Sequence, residues 1–73
     1  MRDLLDKKAH NWRVKYSINI IPEVYEDTFK LTVFCDNEAY GWNIMIDFFD
    51  LGTLIEKCTN RATKTFEFTY KIK

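Results

Sequence analysis

Apolar side chains recur along this chain in two rhythms. Between Trp12 and Ile20 the rhythm is two: Trp12, Val14, Tyr16, Ile18 and Ile20 alternate with Arg13, Lys15, Ser17 and Asn19, the signature of a half-buried strand. Residues 28–36 repeat it, with Phe29, Leu31, Val33 and Cys35 on one side and Thr28, Lys30, Thr32, Phe34 and Asp36 on the other. So do residues 39–48, through Tyr40, Trp42, Ile44, Ile46 and Phe48, and residues 64–73, through Phe66, Phe68, Tyr70 and Ile72. Two stretches follow helical spacing instead. Leu4, Leu5 and Ala9 behind Asp3 predict a short helix over residues 3–10. Leu51, Leu54, Ile55, Cys58 and Ala62 predict a second, with Asp50 as its N-cap or Thr53 and Glu56 as a capping box. Pro22 and the acids Glu23, Glu26 and Asp27 interrupt the alternation and predict a loop over residues 21–27.

Together these elements predict one α+β domain over residues 1–73: a short N-terminal helix, a three-stranded antiparallel meander, one helix and a final strand, with the helices packed on one face of a four-stranded sheet. A two-residue turn at Asn37-Glu38 sets Cys35 against Tyr40, Val33 against Trp42, Leu31 against Ile44 and Phe29 against Ile46, and lays Phe34 over Gly41 on the opposite face. The four strands then present eighteen inward apolar side chains and the main helix only five. A helix of about a dozen residues is roughly 18 Å long and cannot cover such a sheet. The missing cover is expected from Leu4 and Leu5 of the first helix or from a second copy of the chain in a homodimer.

Composition narrows the function classes. A chain of 73 residues that is 47% hydrophobic and 16% aromatic folds, and its large rings compensate for a small core. Eleven basic and eleven acidic side chains give no net field toward nucleic acid or an anionic membrane. The absence of a leader-like start, of a membrane-length apolar run and of a glycosylation sequon, with only two cysteines, predicts a soluble cytoplasmic protein. Its excess of Lys over Arg, with abundant Ile, Asn, Phe and Tyr, is the bias of an AT-rich genome.

Candidate chemistry is sparse. His10 is the only histidine, and both Cys35 and Cys58 alternate into the expected core, where a thiol is inert; the two would lie as packed thiols or, alternatively, as a disulfide across the sheet and helix layers. Three scattered Cys and His residues do not make a zinc site. Asp47, Asp50 and Glu56 read as a surface residue and helix-capping groups rather than a carboxylate pair or metal ligands, and two glycines are too few for a phosphate loop. No catalytic, cofactor or metal residue is therefore assigned.

The expected order of helix, three strands and helix resembles the double-stranded-RNA-binding domain. Such domains place lysines at the start of the second helix, whereas the matching start here is Asp50-Leu51-Gly52-Thr53. The outward sheet face, mixing Arg13, Lys15, Lys30 and Lys71 with Asp36, Asp47 and Glu67, is close to neutral. Phe34, Met45 and Phe49 fall where alternation calls for polar residues, and Phe34 and Met45 would form a small apolar patch ringed by charge beside Lys30. Val24 and Tyr25 in the acidic loop are a second contact candidate. The candidate binding residues are thus Phe34, Met45, Lys30, Lys15 and Tyr25. The function expected is a small non-enzymatic protein-binding module, of the kind phages and mobile elements use as inhibitors of host complexes such as CRISPR or restriction systems; the alternative is a small nucleic-acid-binding regulator using the sheet face.

Overall fold

The computed structural model describes residues 2–73. Six elements follow one another: α1 (Arg2–Tyr16), β1 (Asn19–Val24), β2 (Thr28–Phe34), α2 (Glu38–Asp47), β3 (Gly52–Asn60) and β4 (Thr65–Ile72). The α+β class, the two helices and the four-stranded antiparallel sheet stand as expected, with both helices on one face. The residues assigned to three elements do not.

The first helix runs on to Tyr16, through the start of the expected strand. Leu5, Ala9, Trp12 and Tyr16 lie four, three and four residues apart, which aligns them on one helical stripe, and Leu5 and Ala9 are fully buried. The alternation of Trp12, Val14 and Tyr16 is incidental, since Val14 is 69% exposed. Ser17, at φ 56°, ends the helix in the left-handed conformation, and its N–H donates to the Arg13 carbonyl at 2.9 Å, a one-bond C-terminal cap. The next strand, β1, carries on across Pro22 into the expected loop, because the edge of a sheet tolerates a residue without an N–H. Only residues 25–27 turn the chain back into β2.

The third expected strand, residues 39–48, is helix α2, and the expected main helix is strand β3. The first of these stretches is apolar on nearly every side, so period two and period 3.6 both find matches in it. Its cap decides: the Asn37 side chain accepts the Ala39 N–H at 2.8 Å, and Glu38 occupies the favourable first turn. Gly41 and Ile44, three residues apart, then face the sheet. In β3 the misleading feature is a bulge between Leu54 and Glu56, where Ile55 has no partner on β4. An inserted residue shifts the alternation by one and leaves apolar residues at 51, 54, 55 and 58, which imitates a helix. Asp50 and Thr53 therefore cap nothing, and the pairing of Phe34 with Gly41 does not form: Phe34 lies between Asn19 and Thr65.

The strand order is β1-β2-β4-β3, so β2 and β3 run the same way with β4 between them, and α2 makes the crossover. Three rows of inward side chains cross the sheet: Ile20, Val33 and Phe66; Pro22, Leu31 and Phe68; Val24, Phe29 and Tyr70. The Phe29 and Tyr70 rings stack at 4.7 Å, and Phe48, Ile44, Leu5 and Ala9 close the core from the helices. Both glycines mark close approaches. A Cβ on Gly41 would lie 2.7 Å from the Phe66 ring, and one on Gly52 would lie 2.7 Å from Phe29 and from the Lys71 carbonyl. Two helices thus supply the cover that one could not, and Leu5, but not the exposed Leu4, contributes to it.

Candidate functional site

Asp47 and Asp50 meet at one cation. Lys8 of α1 lies 3.6 Å from the Asp47 carboxylate and 3.5 Å from that of Asp50, and it donates to the Asp47 carbonyl at 3.1 Å. The Trp12 indole N–H donates to Asp47 at 3.0 Å. These contacts tie α1 to the corner between α2 and β3, and both carboxylates remain exposed to solvent. Behind them Tyr70 donates its hydroxyl to the Met45 carbonyl at 2.8 Å, satisfying one of the last-turn acceptors of α2. Burial of that phenol, with the charge of Asp47 as the lesser cause, raises its pKa well above the ordinary value.

The two cysteines part company. Cys35, just past β2, is buried as expected and points its thiol at the Asn37 carbonyl, 3.2 Å away. Cys58 is exposed, because the bulge turns it onto the outer face of β3; the expectation that it packs in the core, or bonds to Cys35, is corrected. His10 is exposed on α1. Among the described residues no group of three or more His, Cys, Asp and Glu is arranged to hold a metal ion, and no helix is long and apolar enough to cross a membrane.

The outer face of the sheet is left without a covering element among the described residues. Its side chains form a grid in register: Asn19, Phe34, Thr65 and Asn60; Ile21, Thr32, Glu67 and Cys58; Glu23, Lys30, Thr69 and Glu56; then Thr28, Lys71 and Thr53. Phe34 and Ile21, diagonal neighbours on adjacent strands, are 43% and 44% exposed. Lys30 bonds Glu67 at 2.7 Å, and this contact raises the ammonium pKa. Tyr25 stands at the rim, where its hydroxyl donates to Glu23 at 3.2 Å.

Three of the five residues singled out from the sequence, Phe34, Lys30 and Tyr25, therefore border this face. Met45 does not: it lies on α2, half-buried against the core, so the patch expected between Phe34 and Met45 is corrected to one between Phe34 and Ile21. Lys15 is also elsewhere, near the end of α1, in a cleft of about 200 Å³ with Asn11, Trp12, Tyr16 and Asp47. Phe49, exposed in the turn after α2, sets its ring edge toward Tyr70. Ile21 was hidden in the sequence by Pro22, which reads as a loop marker, although Asn19, Ile21 and Glu23 alternate with Ile20, Pro22 and Val24 across it.

No protein family, curated protein or solved structure matches the chain. The order α1-β1-β2-α2-β3-β4 also removes the likeness to the double-stranded-RNA-binding domain, which needs three strands before its second helix. A further cleft, of about 330 Å³, opens beside the N-terminus of α2 between Cys35, Thr59 and Phe66. Its rim charges are already matched, Arg61 with Glu38 at 2.9 Å and Lys64 with Asp36 at 3.4 Å.

Proposed function

We propose that this chain is a non-enzymatic binding module that presents the outer face of its sheet to a protein partner. The observation that carries the reading is the grid itself. One side of the sheet has been left open, and at its β1 edge, where β2 ends, Ile21 and Phe34 sit exposed beside threonines and the Lys30–Glu67 pair. The threonines and the Lys30–Glu67 pair suit the polar, solvent-accessible rim of an interface, and the two exposed apolar groups supply the driving force. Lys30 and Lys71 on this face stand against Glu23, Glu56 and Glu67, two cations to three acids, which disfavours a phosphate backbone. Inhibition of a host complex, such as a CRISPR or restriction assembly, is the role we attach to such a module from an AT-rich source.

Capture from a host lysate by the tagged chain, with nuclease added throughout, tests the reading. Bands that survive nuclease, disappear with Phe34→Glu and persist with a substitution on α1 such as Val14→Glu are the expected result. Phe34→Glu itself is expected to leave the urea midpoint nearly unchanged, since the ring is exposed. Identical capture by the wild-type chain and Phe34→Glu, or binding to nucleic acid at low salt, would remove the proposal.

A further inference from the structure

The sheet has two free edges, and they are built differently. On β1, Pro22 has no N–H to offer, and Arg13 donates to the Ile20 carbonyl at 2.6 Å, so that edge is blunted. Along the straight part of β3, Glu56–Asn60, no proline and no side-chain bond to the outward backbone intervenes, and among the described residues it pairs with β4 on one side and with nothing on the other. An edge of this kind is a template for one more antiparallel strand.

A second copy of the same strand fits it in one register that pairs the whole of Glu56–Asn60. Two sheets joined edge to edge with their open faces on the same side are related by a two-fold axis perpendicular to the sheet, so one residue must face its own copy. Centring on Glu56 opposes two carboxylates, centring on Lys57 opposes two ammonium groups, and centring on Thr59 brings Lys57 against Arg61; like charges directly opposite are unfavourable. Centring on Cys58 opposes Cys58 to Cys58, Lys57 to Thr59 and Glu56 to Asn60, with no like charges. The bulge at Leu54 to Glu56 ends the pairing there. We propose that β3 is a self-pairing edge, through which two copies join into a continuous sheet with Cys58 opposite its copy on the open face. This pairing is independent of the protein partner proposed above.

Light scattering over a range of concentrations, under reducing conditions, measures the association. The expected result is a concentration-dependent dimer that survives Cys58→Ser, weakens several-fold with Thr59→Lys, which faces Lys57 of the other copy, and tightens with Thr59→Glu. Diamide, which takes up the two hydrogens of a thiol pair and leaves one S–S bond, is expected to cross-link the wild-type chain and Cys35→Ser but not Cys58→Ser. A strict monomer overturns the proposal even if diamide cross-links it, because exposed thiols can react by collision. A dimer that ignores the sign of the charge at position 59, or that never cross-links through Cys58, overturns it as well by placing the interface elsewhere.

Discussion

Gly41 and Tyr70 are the positions where a single atom decides most. Gly41→Ala adds a methyl group 2.7 Å from a buried ring, and overpacking of this kind costs about 1–3 kcal/mol, against roughly 1 kcal/mol gained in helix propensity. A lower urea midpoint is expected; a raised one would show that Phe66 can move aside. At Tyr70 the sign of the pH dependence follows from its raised pKa. In the unfolded chain a phenol ionises near pH 10, while in the folded protein burial keeps it protonated, so its contribution is present below that pH and is lost as pH rises above it. Tyr70→Phe is therefore expected to flatten the fall in stability above about pH 10, at a cost of about 0.5–1.5 kcal/mol at neutral pH for the bond to the Met45 carbonyl. Equal slopes for the two proteins in urea unfolding would contradict this. Individual exposures were partly legible in the sequence: Phe34 breaks a clean alternation and is exposed, whereas Met45 breaks an alternation that never forms.

At the scale of elements, the regular strands β2 and β4 emerge within a residue or two of their expected ends, because strict alternation over seven or eight residues admits one reading. The exchange of helix and strand between residues 38 and 60 has two physical sources. One stretch is apolar on nearly every side, so both periods match it, and the other carries a bulge that makes a strand look helical. Asn37 was the usable signal, a good cap directly before an acid, but it also begins a plausible hairpin turn. Substitution separates the two capping assignments. Asn37→Ala is expected to cost about 1 kcal/mol and Asp50→Ala, which loses only an exposed ion pair, less than half of that. Comparable losses in thermal unfolding would return the helix start to Asp50.

For the molecule as a whole, α1 is part of the core rather than an appendage. Leu5→Ala is expected to cost about 2–5 kcal/mol, as for other fully buried leucines, whereas Leu4→Ala, on the exposed side, should be close to neutral; equal small effects would mean that α1 does not seal the sheet. The sequence by itself determined the class of fold, because hydrophobic content and alternation demand a sheet with one buried face and at least one helix to bury it. It also determined that the outward face of β2 and β4 is a mosaic of threonine and charge around Phe34. Only the tertiary structure decided which apolar segment became the helix, that β4 lies between β2 and β3, and that Ile21 and Cys58 join the open face. The reason is that side-chain pattern acts locally, within a turn or a pleat, while strand order and the choice between two equally apolar conformers are settled by long-range fit: Phe66 against Gly41, Phe29 against Gly52, and the Tyr70 hydroxyl against the last turn of α2.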